Sequence, residues 1–298
     1  MTRLKVWLLE TRPNFLLLTP IVYSVGLASA LIEGYHRPLN AVLGLVGALL
    51  AHVSVNVLND YYDYKSGLDL RVRRTPFSGG SGILPQGLLN PERVYLLGLS
   101  TLLIGLLIGV YFLLTLGLGL LLILIPAALS VYLYTTHLSH WYVGEFFAGL
   151  NFGPLMTLGA YYLQAGRFGW TPFIAGLIPG ILVGTLLFLN EFPDVEADIS
   201  VGRRNLVILL GRRRASRLYA LLIASVYIYI AVAVLLRLLP WTCLISLLTL
   251  PIAVRAVRGA LINYDDVAAL IPAMASNVIV VLSTSALTAL GLALALLL

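Results

Sequence analysis

The stretch NDYYDYKSGLD, residues 59–69, decides how the rest of the chain is read. The residues just before it, 41–57, contain no Asp, Glu, Lys or Arg and read as a membrane-crossing helix. Three carboxylates, an asparagine and a lysine then arrive within eleven residues. A chain with so few charges has placed them at the mouth of a hydrophobic segment.

The surrounding composition sets the frame. Of 298 residues, 60% are hydrophobic and 11% charged, and the mean hydropathy is +0.96. A water-soluble core does not use that much apolar surface. Apolar runs long enough to cross a bilayer recur at about 14–32, 40–58, 94–115, 117–135, 145–164, 172–191, 218–236, 239–257 and 275–297. The expected fold is therefore all-α: a polytopic membrane protein with nine transmembrane helices in one bundle, a single domain over 1–298. The N-terminal stretch MTRLKVWLLETRPNFLLL has no small-residue cleavage site after a short apolar core and reads as retained. Cys243 is the sole cysteine, which rules out an intramolecular disulfide and suggests no cysteine-based metal site.

Two polar connections interrupt the apolar runs, at about 61–93 and 193–217. With the N-terminus in the cytoplasm, both loops face the cytoplasm. Of the 19 Lys and Arg residues, only Arg37, Arg167 and Arg237 then fall on the opposite side. The net charge of +6 is explained by this bias, so no nucleic-acid partner is expected.

Each loop begins with a carboxylate cluster. The first holds Asn59, Asp60, Asp63 and Asp69. Asn59 and Asp63 are one helical turn apart on one face, and a turn at Gly67 could fold Asp69 back towards them. The second is NEFPDVEAD, residues 190–198, where Asn190, Asp194 and Asp198 repeat every four residues and Pro193 interrupts the helix. Together the two stretches carry seven of the 13 acidic residues, on the same predicted side. Crowded carboxylates repel unless a cation or proton lies between them. Magnesium binds one or two carboxylates together with substrate phosphates. Lys65, Arg73 and Arg74 beside the first cluster, and Arg203 and Arg204 beside the second, suit phosphate. Acid for metal and base for phosphate, at the entrance to an apolar bundle, fit a substrate with a diphosphate head and a hydrocarbon tail.

These residues resemble the paired aspartate-rich motifs of the UbiA superfamily of intramembrane prenyltransferases, and the likeness extends over essentially the whole chain. It implies that Asn59, Asp63 and Asp69 with Asn190, Asp194 and Asp198 hold a magnesium diphosphate. Arg12 in TRPNFL matches the Arg-Pro of the family's first helix. The five-residue gap between Asp63 and Asp69, the stretch RTPFSGGSGILPQG (74–87) and the stretch VGRRNLVILLG (201–211) are similar to the menaquinone branch. That branch prenylates 1,4-dihydroxy-2-naphthoate. YTTHLSHWYVGE (134–145) departs from the pattern, offering His137 and His140 where members often carry a basic residue.

The resemblance implies Mg-dependent transfer of a polyprenyl group from an isoprenyl diphosphate to a lipophilic or aromatic acceptor. Lys65, Arg74, Tyr134, Arg203 and Arg204 join Arg12 and Asn190 as expected substrate contacts. It also implies a multi-pass protein of the cell membrane. Within the family, 4-hydroxybenzoate and geranylgeranylglyceryl phosphate are alternative acceptors. Outside it, a transporter would place charges near the bilayer midplane. Asn56 and His52, about one and two turns before Asp60, read as interhelical hydrogen-bonding groups or as support for the acceptor side. Asp265 and Asp266 read as a helix cap.

Overall fold

The computed structural model describes residues 2–134 and 137–297, and the regular elements among them are helical throughout. Thr135 and Thr136, within the stretch 134–145, lie outside the described residues. A short amphipathic helix α1 (Arg3–Glu10) leads through Arg12 into α2 (Pro13–Leu16) and α3 (Leu18–Ile32). Arg12 adopts the left-handed conformation, with φ 52°, between these two helices. The long helices α4 (Pro38–Lys65) and α5 (Pro91–Leu116) pack against each other along much of their length. Asn90 caps α5 by accepting hydrogen bonds from the backbone N–H groups of Glu92 and Arg93.

Next come α6 (Leu121–Leu133), α7 (Gly144–Leu150), α8 (Met156–Ala165) and α9 (Trp170–Asn190). Two short helices, α10 (Val195–Ser200) and α11 (Leu206–Leu210), lie in the second polar connection. The chain then runs through α12 (Arg212–Leu235), the 3-10 segment Trp241–Thr249, α13 (Leu250–Ile262) and α14 (Val267–Leu294). Asp266 caps α14 by accepting from the N–H groups of Ala268 and Ala269, as its sequence position suggests.

Among the described residues, seven helices are long and apolar enough to cross a membrane: Pro13–Ile32, Pro38–Lys65, Pro91–Leu116, Trp170–Asn190, Arg212–Leu235, Trp241–Ile262 and Val267–Leu297. Two of the nine expected spans fall outside this set. The run at 117–135 forms the shorter apolar helix Leu118–Leu133. The run at 145–164 is broken at Gly153, whose backbone leaves helical values (φ −112°, ψ −105°), and at Pro154, which has no N–H to donate.

That break has a packing cause. Helix α9 is the most enclosed of the seven, 61% buried over its apolar window against 22% for α5. It presents Gly176, Gly180 and Gly184 at four-residue spacing, and such small residues let another backbone approach closely. A Cβ on Gly184 would stand 3.1 Å from the Glu145 carbonyl, and one on Gly180 would be 3.1 Å from the Gly149 carbonyl. The bent α7–α8 segment therefore lies directly on α9, and the bend carries Asn151 and Phe152 into the interior.

Candidate active site

The last turns of α4 carry the first motif, with Asn59 and Asp63 on one helix face. Gly67 ends the helix with φ 78°, a conformation glycine adopts without strain. The turn Leu68–Leu70 then returns Asp69 to the interior, where it is 6% exposed. In the second motif α9 ends at Asn190, a turn through Pro193 follows, and Asp194 precedes α10, which carries Asp198. The four-residue repeat is thus split between two helices.

Arginines join the two halves. Arg203 pairs with Asp63 from the first motif and lies 3.7 Å from Asp198 of the second. Arg12 pairs with Asp60, whose side chain is fully buried, and reaches Asn59 Oδ1 at 3.4 Å. Asn205 donates to Asp198 Oδ2 at 2.9 Å. The glycine-rich stretch 74–87 closes over both motifs. Ser81 donates its N–H to Asp60 Oδ2 (2.9 Å) and its hydroxyl to Glu10 Oε2 (2.9 Å), while the Ser78 hydroxyl donates to Asp194 Oδ1 (3.3 Å). Gly80, at φ 72°, lets the backbone lie against the Asp69 carboxylate, where a Cβ would be 3.0 Å from Oδ1.

These groups surround a cavity of about 280 Å3. The structure brings Asn59, Asp63, Asp69, Asn190, Asp194, Asp198, Arg12, Tyr134, Arg203 and Arg204 to its wall. Two expected substrate contacts are not among the lining residues. Lys65 turns outward, pairing with Glu92 at 3.0 Å and lying 5.5 Å from the Tyr61 ring centroid. Arg74 folds over Gly79 and Gly82 of its own loop. Tyr134 lines the cavity, whereas Tyr61, Tyr62 and Tyr132 are not among its lining residues.

Several further residues at the site were not singled out by the sequence. Glu10 is fully buried, at the end of a short N-terminal helix. Glu145 and Glu191 line the cavity, and the Leu206 N–H donates to Glu145 Oε1 at 2.8 Å. Ser78 and Ser81 sit among the glycines of the loop.

Burial and mutual repulsion dominate the electrostatics. Desolvation, then the Asp63 charge, pushes Asp69 up to about 6. Desolvation and Asp198 push Asp194 up to about 7. Asp198 rises to about 6, chiefly through burial, with Arg203 opposing. Glu10 is pushed up to about 7 by burial against the opposing Ser81 hydrogen bond.

The donor set suits a hard cation and a diphosphate. Asp69 Oδ2, Asn190 Oδ1 and Asp198 Oδ1 are buried oxygens without hydrogen-bond partners, all belonging to residues that line the cavity. Among the described residues no three His, Cys, Asp or Glu side chains already stand close enough to hold an ion. Arg203 supplies the positive charge between Asp63 and Asp198.

A second, almost wholly apolar cavity of about 200 Å3 lies between α4, α5, α6 and α8. His52, Val55, Val131, Asn151 and Phe152 line both cavities and form the waist between them.

A sequence profile described as the UbiA prenyltransferase family matches residues 17–279. The chain belongs to the UbiA prenyltransferase family. It is a multi-pass membrane prenyltransferase. Among curated UbiA relatives, the 2-carboxy-1,4-naphthoquinone phytyltransferase of Synechocystis sp. is 27% identical, covering 85% of this chain and 82% of the relative. The 1,4-dihydroxy-2-naphthoate octaprenyltransferase of Bacillus subtilis is 29% identical, with coverage of 85% and 81%. In fold, the chain is similar to a UbiA homologue from Archaeoglobus fulgidus whose structure holds GPP and Mg2+. The TM-score is 0.64 at 17% identity, covering 95% of this chain and 99% of that one.

Proposed function

We propose that this UbiA enzyme transfers a polyprenyl group from an isoprenyl diphosphate to an aromatic quinone precursor, with 1,4-dihydroxy-2-naphthoate the best-supported acceptor. The observation that carries the reading is the meeting of both carboxylate motifs and three arginines on one polar cavity that continues into an apolar one. The naphthoate-named relatives support the choice of acceptor.

In this reading Asn59, Asp63 and Asp69 face Asn190, Asp194 and Asp198 across the donor's diphosphate and hold magnesium there. When bound, magnesium supplies Lewis-acid neutralisation of the leaving diphosphate. Arg12, Arg203 and Arg204 contact phosphate oxygens, with Arg203 turning from its carboxylate partners towards them. The 74–87 loop excludes water, which would otherwise capture an allylic cation. The isoprenoid tail runs from the waist into the apolar cavity. Arg37, Arg167 and Arg237 sit at helix ends and none of them lines the polar cavity, which supports a cytoplasmic site in the cell membrane.

The test is incubation of purified protein with magnesium, a labelled polyprenyl diphosphate and a panel of acceptors. Prenylated dihydroxynaphthoate is the expected product. Product from 4-hydroxybenzoate or geranylgeranylglyceryl phosphate alone would overturn the acceptor assignment, and no diphosphate release with any acceptor would overturn the reaction.

Two further results are expected. The raised carboxylates Asp69, Asp194 and Asp198 hold protons near and below neutrality, and a metal must displace them. Magnesium affinity therefore increases as pH rises from about 5.5 to 8, with proton release on binding. Calorimetry in buffers of different ionisation enthalpy measures both; a flat profile contradicts the assignment. Ala48 lines the apolar cavity about 16 Å along α4 from Asn59. Ala48→Phe should fill that space, lowering turnover of an octaprenyl donor about tenfold more than that of geranyl diphosphate. Equal effects on both donors would place the tail elsewhere.

A further inference from the structure

The waist between the cavities is where the reaction must occur. With diphosphate among the carboxylates and the tail in the apolar space, the donor's first carbon comes to the junction. The acceptor's ring has to meet it there. Of the residues shared by both cavities, Val55, Val131 and Phe152 offer no polar group. The Asn151 amide already donates to the Phe147 carbonyl at 2.7 Å, and an amide cannot take up a proton at neutral pH. His52 can.

His52 sits seven residues before Asn59 and eleven before Asp63 on α4, so all three fall on one helix stripe and face one side. It is 6% exposed. Its Nδ1 lies 2.7 Å from the Thr19 hydroxyl of α3, itself fully buried. Its ring packs edge-on against Phe152, with centroids 4.6 Å apart at 70°. Two elements thus fix the ring, and Nδ1 is committed to Thr19, so Nε2 is the nitrogen left for a ligand. An imidazole fixed this tightly beside an aromatic face, in a waist otherwise lined by Val55, Val131, Asn151 and Phe152, suits a planar phenolic ring.

We infer that His52 binds the reacting ring hydroxyl of the aromatic acceptor through Nε2 and takes its proton during transfer. This rests on the proposed prenyl transfer to an aromatic acceptor. In the step, the acceptor's O–H proton passes to Nε2 while a ring-carbon electron pair forms the new C–C bond. The donor's C–O bond breaks, its electron pair leaves on the diphosphate, and the ring is left as its keto tautomer. Thr19 is a positioning residue, holding the imidazole so that Nε2 faces the ring.

The test compares wild type, His52→Gln and His52→Ala with magnesium, saturating geranylgeranyl diphosphate and varied 1,4-dihydroxy-2-naphthoate. Donor Kd and thermal midpoint are measured in parallel. His52→Gln keeps a hydrogen-bonding group but cannot act as base. It should hold the acceptor KM near wild type and lower kcat about 100-fold. His52→Ala should lose the same in kcat and raise acceptor KM about tenfold. Donor Kd should stay within about twofold in both, since the diphosphate site lies about 10 Å along the helix. A glutamine variant with wild-type kcat overturns the inference, as does a parallel loss of donor affinity, which marks a structural role. If wild type itself makes no product with this acceptor, the proposed function fails and this inference falls with it. If wild type turns over and His52→Gln is equally fast, only the inference falls.

Discussion

Asp63→Ala and Asp194→Ala should each lower prenyl transfer by about 10³-fold or more, with the fold retained. The two aspartates come from separate helices yet face one cavity. Asp63 is 6% exposed and paired with Arg203, which also approaches Asp198. Removing Asp63 leaves the arginine's charge unopposed on one side and takes one carboxylate from the proposed magnesium site. Asp194 accepts from the Ser78 hydroxyl, so its loss also releases the loop that covers the site. Product formation under saturating donor and acceptor is the measurement. Thermal midpoints within a few degrees of wild type distinguish lost chemistry from lost structure. An alanine variant at either position that retains more than a tenth of wild-type turnover would exclude that residue from the site.

Arg12→Ala should give the second large effect, this time on stability as well as activity. Its partner Asp60 has no exposed surface. Breaking a buried pair by removing one partner typically costs about 3–5 kcal/mol, because a charge is left without compensation. Asp60 would keep the Ser81 N–H at 2.9 Å and nothing of opposite charge in direct contact. The thermal midpoint in detergent should fall sharply, and donor KM should rise because a phosphate contact is lost. Adding Asp60→Asn to Arg12→Ala should recover much of the stability but none of the donor affinity. If the double variant is as unstable as the single one, the charge pair is not what the arginine contributes.

The placement of charge also separates this enzyme from a transporter. Transport pathways put ionisable groups near the bilayer midplane. Here the carboxylates cluster at the C-terminal ends of α4 and α9 and in the segments that follow.

The carboxylate motifs were legible in the sequence because helical spacing puts Asn59 and Asp63 on one face, and Gly67 could return Asp69. The pairing of the motifs needed a third element. Arg203 lies beyond α10, and nothing in its local sequence says that it reaches Asp63 on a helix 140 residues earlier. Lys65 looked equivalent to Arg203 in sequence, yet its position on α4 turns it towards Glu92. Asp60 sat in plain view inside the first motif. Its role as the Arg12 partner depends on α1 and α2 folding back over α4. Glu10 was invisible for the same reason.

The span count was least legible where hydropathy is blind to backbone geometry. Residues 145–164 are apolar enough to cross a membrane, but Gly153 and Pro154 break the helix so that it can lie on the glycine stripe of α9. Residues 117–135 contain enough apolar side chains, yet the helix formed is short because Gly117 leaves helical values and a 3-10 turn precedes α6. The waist at His52 combines a helix stripe, which the sequence does encode, with Thr19 and Phe152 from elements it does not place.

The central claim is that two motifs close on one magnesium–diphosphate site, and donor binding tests it without any acceptor. Titration calorimetry of geranylgeranyl diphosphate with wild type, Asp63→Ala and Asp194→Ala, each with and without magnesium, gives the answer. The account predicts binding that strengthens strongly with magnesium in wild type and loses that dependence in either variant. Binding indifferent to magnesium, or a dependence that survives removal of one aspartate, would contradict it.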